Sequence, residues 1–547
     1  KLPRKLIICC DGTWQDSDNG WVKGRFGQPG HLQNPTNVTR IARAIKAEDD
    51  DHHPQIVYYQ AGIGTGIGLY NHVVGGGTGL GLAENVREAY AFIANNYSEH
   101  DKLVSPDSIF LLGFSRGAFT ARTLGGLICA LGVFRKIAMP HFYEAFEDWE
   151  RAGDPHYKPL FFDRFYEHHH EFTAKEKPDE KLARSPNPTH REMYLQQYFA
   201  LLLKLNLTQK AVVKAIGVWD TVGALGIPVN PVLQQVFPFL PSFFRTYRWF
   251  DTNLHDSVEN AFHALAMDER RFPFGPAVWE RQNVKTNLEQ VWFPGAHSNI
   301  GGSYEDAGMA DITLVWMMDR LSGNMLEDRE AFKEHDWIKF DDHYIDYWYD
   351  CLVDWLKEHR KDAYKGWARG KVYDSNTMPE SLAGTRTRNV GRYHGTFYES
   401  GRTDRSRLLE NTNEHVHSSV RIRMDLGARS VEPDWGQVFP FGWNFGPLFV
   451  YGWRWITRQK PDVYRPDRKG GPLEGWQLVD GHASHGKPNF DIDMTADNLE
   501  EIQWQWKGKG EVATPIMRES KLGPYERRLL EKDVQLAEKV EYTNNGW

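Results

Sequence analysis

One short segment, Ile109–Phe119, constrains the fold of this chain more than any other. It runs from an apolar, strand-like stretch through the pattern G-x-S-x-G directly into residues compatible with a helix. This strand–turn–helix context is what a nucleophile elbow requires. Such a turn is so tight that we expect only glycine to fit at Gly113 and Gly117. The sequence therefore predicts that Ser115 is a nucleophile, raised above a sheet edge at a helix N-terminus that favours developing negative charge.

Similar apolar segments recur along the first three hundred residues and predict a mostly parallel sheet. Each is short and nearly continuous in hydrophobicity, as in strands covered on both faces, and they lie at Lys5–Cys10, Ile56–Gln60, Ser108–Gly113, Val212–Trp219 and Gln290–Phe293. Helices are predicted between them at Asn37–Ala47, Leu80–Tyr97 and Ala118–Leu131. The predicted fold class is α/β, an α/β-hydrolase fold with a mostly parallel central sheet flanked by helices.

The length of 547 residues exceeds what one core usually supports, so elaborations of the sheet domain are expected. We predict a catalytic domain at 1–335, with an aromatic- and histidine-rich helical insertion or cap at 136–207. The strand–helix alternation fades beyond it. Residues 336–547 are predicted to form a C-terminal elaboration packed on the catalytic domain, because so many aromatic side chains would be costly to expose.

A nucleophilic serine needs a base and an orienting acid, in the chain order serine, acid, histidine. Asp220 follows the predicted strand Val212–Trp219, and His297 lies in a glycine-rich loop after the next predicted strand. Both are therefore expected at the sheet edge that carries Ser115. Asp311 remains an alternative acid.

Other histidines are interpreted as structural. His263 lies in the segment Ala261–Arg271, which we predict to be a helix, and it is expected to be a hydrogen-bonded core residue. The cluster of three histidines at 168–170 is interpreted as a solvated helix surface, with metal binding as the alternative. No metal and no cofactor are predicted to be required.

The oxyanion formed by attack on a carbonyl needs preorganised N–H donors. One is predicted to be the backbone amide of Arg116, the residue after the nucleophile. The loop after the first strand is predicted to supply the second, from Gly12 or Thr13. Asp11 is expected to brace this loop by hydrogen bonds.

Two other classes of enzyme share parts of these patterns. The residues Asp11-Gly12-Thr13 suggest a phosphotransferase of the haloacid dehalogenase type, but Cys9 occupies the position of its nucleophilic aspartate. The glycine-rich stretches Gly62–Gly68 and Gly75–Gly79 suggest nucleotide binding, but they lack G-K-[ST] and a clean G-x-G-x-x-G. We interpret them as a loop at the rim of the active site.

Composition restricts the partners and the setting. A formal net charge of -8 argues against nucleic acid, because phosphate contact needs a basic face. Adjacent Cys9 and Cys10 are expected on opposite faces of a strand, so a bond between them is not predicted. Four cysteines, the absence of a signal peptide at Lys1 and the lack of a bilayer-length apolar run favour a cytoplasmic or intracellular location. The oligomeric state is left open.

Four motifs in order carry a family resemblance, and they lie at 10–14, 113–118, 217–223 and 294–298. The chain resembles an uncharacterised α/β-hydrolase domain family that includes the catalytic domains of type VI secretion phospholipase effectors. The resemblance covers roughly Lys5 to Arg320, with weaker similarity at Arg386–Tyr393 and at Thr412–Val420, where His417 lies. It implies carboxylic ester hydrolysis and supports Ser115, Asp220 and His297 as the triad. The sequence departs from the family at Asn299, where an aspartate is expected.

We therefore predict a serine hydrolase that cleaves carboxylic esters through an acyl-enzyme, with phospholipid or another acyl lipid as substrate. Two aromatic stretches followed by cations, Val236–Phe250 and Val438–Ile456, suit peripheral contact with a membrane. Their alternative is a place in the core of the second half. The alternative functions are an esterase for small soluble or carbohydrate esters and a non-catalytic module that binds lipid or protein.

Overall fold

The structure is a computed structural model. It describes residues 2–12, 21–22, 31–32, 34–62, 80–99, 105–173, 175–222, 254–271, 274–281, 285–304, 306–325, 336–359, 367–368, 370–374, 385–399, 402–425, 432–433, 463–479 and 502–532. In this part of the chain, no helix combines the length and apolarity needed to cross a bilayer.

The strands, in chain order, are β1 (Lys5–Cys10), β2 (Trp21–Val22), β3 (His31–Leu32), β4 (Gln55–Gln60), β5 (Ser108–Phe114), β6 (Val133–Phe134), β7 (Thr208–Gln209), β8 (Val213–Trp219), β9 (Val258–Ala266), β10 (Asn287–Phe293), β11 (Tyr373–Asp374), β12 (His394–Glu399), β13 (Arg402–Leu408), β14 (Glu414–Val416), β15 (Glu432–Pro433), β16 (Trp476–Val479), β17 (Gln503–Trp506) and β18 (Ile516–Arg518). The helices are α1 (Asn37–Ala44), α2 (Leu80–Asn96), α3 (Arg116–Leu131), α4 (Phe142–Glu150), α5 (Phe161–His168), α6 (Glu180–Ala183), α7 (Pro188–Lys204), α8 (His297–Gly301), α9 (Gly308–Leu321), α10 (Asp342–His359) and α11 (Ser418–Asp425). A 3₁₀ turn spans Met139–His141, and residues 524–532 are helical.

Seven of these strands form the central sheet, in the order β14-β10-β9-β8-β5-β1-β4, and every neighbouring pair is parallel. The predicted α/β class with a parallel sheet is therefore confirmed. From β1 the chain moves to β4 on one side and then to β5 on the other, so the strand order reverses between β1 and β5. In open α/β sheets, the crevice at the carboxyl ends of the strands beside such a reversal is where ligands bind.

Alternate side chains of the sheet belong to different cores, as parallel strands buried on both faces require. Leu6, Ile8 and Cys10 of β1 pack with α2, α3 and the inserted helices. Ile7 and Cys9 pack on the other face, with α1 and α9. Cys9 and Cys10 thus point to opposite faces, as predicted, and both are free thiols.

One element was predicted wrongly. The segment Ala261–Arg271, predicted as a helix, contains most of β9 instead, which lies between β8 and β10. A strand buried on both faces has a continuous apolar run, so periodicity alone does not separate it from a buried helix. His263 of this strand is fully buried and is bonded to Gln290 and to the amide of Thr221. Its interpretation as a core residue agrees with these contacts.

The segment 136–207 contains the helices α4 to α7. Its apolar side chains share the core of α2 and α3 on one face of the sheet. A role as a cap over the site stays a prediction. Beyond residue 335 the chain adds β14 to the edge of the central sheet. The domain boundary itself also stays a prediction.

Candidate active site

Ser115 lies in the tight turn between β5 and α3, with φ 58° and ψ -121°. A Cβ atom on Gly113 would lie 2.4 Å from the carbonyl oxygen of Gly117, and one on Gly117 would lie 2.1 Å from that of Cys10. Contacts this short leave room only for glycine at both positions. Positive φ in a serine is strained backbone, which proteins retain mainly at functional sites.

Three loops meet at this serine, each at the carboxyl end of a strand. The Ser115 amide donates a hydrogen bond to the carbonyl of Trp219 at 3.1 Å, which places it beside the end of β8. A Cβ on Gly12, after β1, would lie 3.4 Å from the Cβ of Ser115. Ser115 itself is 8% exposed. The serine therefore lies at the reversal of strand order between β1 and β5.

Asp220 and His297 are in direct contact. His297 Nδ1 lies 2.6 Å from Asp220 Oδ2, and both residues are buried. The other carboxylate oxygen of Asp220 accepts the amide of Ala266 at 2.9 Å. Asp311, the alternative acid, pairs instead with Arg40 on α1. Of the two predicted acids, the fold brings Asp220 to the histidine.

The second ring nitrogen of His297 is buried and has no hydrogen-bond partner among the residues that the structure describes. The ring packs against Phe114, 4.6 Å between centroids, and against Phe274 at 5.0 Å. Because Phe114 directly precedes Ser115, this packing holds the imidazole next to the serine turn. A neutral imidazole that donates from Nδ1 to a carboxylate has its lone pair on Nε2, as a general base requires.

The electrostatics of this pair favour an ionised acid and a neutral base. Burial alone would raise the pKa of Asp220, but the charges and hydrogen bonds of Arg388 and His297 hold it well below its ordinary value. Burial lowers the pKa of His297, as does the charge of Arg271, and this outweighs the raising effect of Asp220. Near neutral pH, His297 is therefore unprotonated beside a charged carboxylate.

Asp11 braces the loop after β1. Its buried carboxylate accepts hydrogen bonds from the Gly12 amide at 2.7 Å and from three hydroxyls, those of Thr36 at 2.6 Å, Thr39 at 3.0 Å and Tyr59 at 2.7 Å. Burial raises the pKa of Asp11, and these four bonds oppose that effect. The bracing role predicted for Asp11 is consistent with these contacts.

The predicted oxyanion donors differ in availability. Arg116 begins α3, and the first amides of a helix have no acceptor within the helix. The amide of Gly12, by contrast, is taken up by the carboxylate of Asp11. Thr13 lies outside the described residues. Burial also lowers the pKa of the Arg116 side chain to about 10.

Sequence reasoning missed two carboxylates after β9. Asp268 accepts the amide of Gly295 at 2.7 Å, and Glu269 accepts the amide of His297 at 3.1 Å. Glu269 also pairs with Arg271, whose guanidinium lies over Phe274. These contacts fix the loop that carries the histidine. Because β9 was taken for a helix, the sequence could not place them at this edge.

It also missed Arg388, which precedes β12. The guanidinium is buried and contacts both carboxylate oxygens of Asp220, with Nη1 2.5 Å from Oδ1 and Nη2 3.0 Å from Oδ2. The only signal in the sequence was the weaker family similarity at Arg386–Tyr393. An ion pair between residues 168 positions apart leaves no local pattern.

Asn299, at the position where the family resemblance leads us to expect an aspartate, makes three side-chain hydrogen bonds. Its side-chain oxygen accepts the amides of Ala296 and Tyr373, each at 3.1 Å. Its Nδ2 donates to the carbonyl of Lys371 at 2.9 Å. An ionised aspartate has no donor for that carbonyl.

The remaining predicted features lie away from Ser115 or outside the described residues. His417 is buried between Ser419 and Glu526 and stacks on Phe293, so it is structural. His168 and His170 are exposed, and no group of three potential metal ligands occurs among the residues described. The aromatic stretches 236–250 and 438–456, and nearly all of the glycine-rich stretches, lie outside them.

The sequence matches the model of a known protein family. A model described as "T6SS, Phospholipase effector Tle1-like, catalytic domain" matches residues 4–320. An uncharacterized protein of Saccharomyces cerevisiae is 27% identical over 168 residues, which make up 28% of this chain and 22% of the relative.

Two solved structures are also similar. The Tle1 effector bound to the VgrG spike of the type 6 secretion system is 18% identical, with a TM-score of 0.26 over 55% of this chain and 51% of that one. An uncharacterized protein from Pseudomonas aeruginosa is 16% identical, with a TM-score of 0.28 over 63% and 47%. The chain thus spans about half the length of these two proteins.

Proposed function

The chain belongs to the family of Tle1-like phospholipase effector catalytic domains, and we propose that it hydrolyses carboxylic esters of phospholipids through an acyl-enzyme on Ser115. One observation carries the mechanism. One ring nitrogen of His297 contacts a buried carboxylate, and the other is buried without a partner in the described part of the chain. The ring itself packs on the residue before Ser115. A base held in this way is suited to accept the proton of a serine hydroxyl.

In the first step, Ser115 Oγ attacks the carbonyl carbon of the ester as its proton passes to His297 Nε2. The imidazolium that forms is stabilised by Asp220, which stays ionised and holds the ring in the tautomer with its proton on Nδ1. The negative charge moves to the former carbonyl oxygen. We assign its stabilisation to the Arg116 amide and to a second amide in the loop after Asp11, with Thr13 favoured because the Gly12 amide is occupied.

In the second step, the tetrahedral intermediate collapses and its ester bond to the leaving group breaks. The departing alkoxide takes the proton from His297 and leaves as an alcohol, which is a lysolipid when the substrate is a phospholipid. Water then attacks the acyl-serine with the same proton transfers. The fatty acid is released and Ser115 is regenerated.

The substrate class rests on the family and on the sequence. Two aromatic stretches followed by cations, 236–250 and 438–456, are our proposed contacts with a phospholipid surface. They would let the protein act at a membrane without crossing it. An intracellular setting remains our proposal for its location.

The proposal is tested by hydrolysis of p-nitrophenyl esters from acetate to palmitate and of phosphatidylcholine vesicles, by the wild type and by Ser115→Ala. We expect turnover of long chains and vesicles, reduced at least about 10⁴-fold in the variant. Activity confined to short soluble esters would leave the serine mechanism standing and refute the lipid substrate. A folded wild type that turns over nothing would favour the non-catalytic binding module.

A further inference from the structure

Arg388 contacts Asp220 and two backbone carbonyls that flank the Asp220–His297 pair. Besides both oxygens of Asp220, its guanidinium donates to the carbonyl of Ala266 at 2.6 Å and to that of Phe274 at 2.7 Å. Ala266 ends β9 and gives its own amide to Asp220. Phe274 packs on the ring of His297. One side chain therefore contacts the acid, the end of β9 beside it, and the backbone of the phenylalanine that packs on His297.

The contacts of Arg388 also compensate the negative charge of Asp220. Asp220 is fully buried, and a buried carboxylate without a counter-ion would take up a proton instead of staying charged. His297 cannot be that counter-ion in the resting state, because it must be neutral to act as a base. Arg388 is a cation at every relevant pH and fits both carboxylate oxygens with its planar fork.

We propose that Arg388 is a positioning residue of the hydrolytic site, which keeps Asp220 ionised and aimed at His297. This inference rests on the proposed function. The inference goes beyond that function because Arg388 lies outside the residues 4–320 that the family model matches. The machinery of hydrolysis then depends on the C-terminal part of the chain.

A second contact from the C-terminal part supports this dependence. The hydroxyl of Tyr464 donates to Asp268 Oδ2 at 3.0 Å, and the same oxygen accepts the amide of Gly295 in the loop of His297. Residues beyond 335 thus hold both the acid and the loop of the base. Tyr464 helps to fix the backbone of the loop that carries His297, whereas Arg388 compensates the charge of Asp220.

The effect of the Arg388 charge on the pH dependence of turnover distinguishes a positioning residue from one that only stabilises the fold. When Arg388 is removed, buried Asp220 loses its counter-ion, so the Asp220–His297 pair takes up a proton at higher pH than in the wild type. A pair that carries this proton no longer provides a neutral base beside a charged acid. The acidic limb of the kcat/KM profile then moves to higher pH. A purely structural arginine lowers the folded fraction but leaves that limb where it was.

The experiment compares Arg388→Met and Arg388→Lys with Arg421→Met in the full chain, using a soluble p-nitrophenyl ester. Arg421 is a suitable control because it makes a buried two-pronged pair with Glu519, and neither residue contacts Asp220. We expect Arg388→Met to lower kcat about 100-fold with KM changed less than about threefold, and to raise the acidic limb by about one pH unit. Arg388→Lys keeps the charge without the fork, so about a tenfold loss and little movement of the limb are expected.

A double variant protects the test against loss of folding. Arg388 acts through Asp220, so adding Arg388→Met to Asp220→Asn should cost less than about a further threefold in kcat. If Arg388→Met matches Arg421→Met, with lower thermal stability but a normal kcat and limb, Arg388 is structural and the inference is wrong. If the wild type neither turns over esters nor reacts with a fluorophosphonate at Ser115, the proposed function fails, and the inference fails with it.

Discussion

At the scale of single residues, Ser115 and Asp220 share an unusual backbone. Their φ angles are 58° and 40°, in the region that favours glycine. Such strain costs about 1–3 kcal/mol per residue and persists only where the surrounding structure enforces it. Both residues follow adjacent strands, β5 and β8. The strain aims a hydroxyl and a carboxylate at the same side of the sheet edge.

The identity of the acid gives a first prediction. Asp220→Asn keeps the shape of the side chain but loses the charge that holds the imidazole tautomer, so kcat should fall about 10⁴-fold. Asp311→Asn is the matched control, because Asp311 is also buried but pairs with Arg40. It should lower stability and leave the kcat of the folded protein within about threefold. Ester turnover measured for both variants checks this, and the reverse pattern would make Asp311 the acid.

The pH dependence gives a second prediction. Hydrolysis needs neutral His297, so kcat/KM rises as pH increases through the pKa of this residue. Because burial lowers that pKa below the ordinary 6.5, the acidic limb should lie below pH 6.5. The charge of Arg271 also lowers it, so Arg271→Met should move the limb to higher pH. A pH profile with a soluble ester measures both, and a wild-type limb above pH 6.5 would contradict the assignment.

The sequence can predict candidate site residues where the signal is local. Ser115 is marked by its glycines, and Asp220 and His297 by the strands that precede them. Arg388, Asp268 and Glu269 were missed because their roles depend on contacts between distant segments. An arginine or a glutamate in a loop is usually solvated, and only the folded chain reveals which ones are buried against the site.

At the scale of elements, the turn between β5 and α3 depends on close backbone packing. β1 passes so near the start of α3 that a side chain at Gly117 would overlap the Cys10 carbonyl. The same proximity brings the Gly12 loop to Ser115. The nucleophile elbow therefore depends on two neighbouring parallel strands, β1 and β5. The second glycine of the G-x-S-x-G pattern is required by the close approach of β1.

This packing gives a third prediction. Gly117→Ala should destabilise the protein by about 2–3 kcal/mol or more and reduce turnover, because β1 and α3 must separate. Gly126→Ala lies in the same helix, where the added Cβ would be 3.4 Å from Trp149, an ordinary contact. It should be neutral or stabilise by up to about 1 kcal/mol. Denaturant unfolding of both variants measures the difference, and equal effects would contradict this account of the turn.

Five of the seven strands of the parallel sheet were predicted, the three-residue β14 was not, and the sequence predicted a helix in place of β9. Its run of buried residues carries no alternation, and it contains His263 and Asn260, which are unusual inside a sheet. Both are satisfied by long-range hydrogen bonds, His263 with Gln290 and Asn260 with the carbonyl of Lys214. A pattern method cannot anticipate those partners.

At the scale of the whole molecule, the C-terminal part is joined to the sheet by buried charges. Arg320 at the end of α9 contacts Glu289 on β10 at 2.9 Å and Glu526 in the helical residues 524–532 at 3.0 Å. Its side chain is 1% exposed. Together with β14 and Arg388, this network makes separate unfolding of the two parts costly.

These contacts give a fourth prediction. The chain should unfold in one transition, and Arg320→Met should destabilise it by about 3–5 kcal/mol, because the buried carboxylate of Glu526 and the partly buried one of Glu289 lose the arginine as counter-ion. Arg151→Met, which removes the solvent-exposed pairs of Arg151 with Glu147 and Asp154, should cost about 1 kcal/mol or less. Near- and far-ultraviolet circular dichroism during thermal unfolding checks both. Two separate transitions would indicate an independently folding C-terminal domain.

In the proposed mechanism, Ser115 carries the acyl group during turnover. The most direct measurement is a rapid acid quench of the wild type during hydrolysis of phosphatidylcholine vesicles, followed by mass spectrometry of the peptide that contains Ser115. We predict a fatty acyl group on Ser115 that accumulates before the steady state and disappears when substrate is exhausted. Steady hydrolysis without any acyl adduct, retained in Ser115→Ala, would show that Ser115 is not the nucleophile.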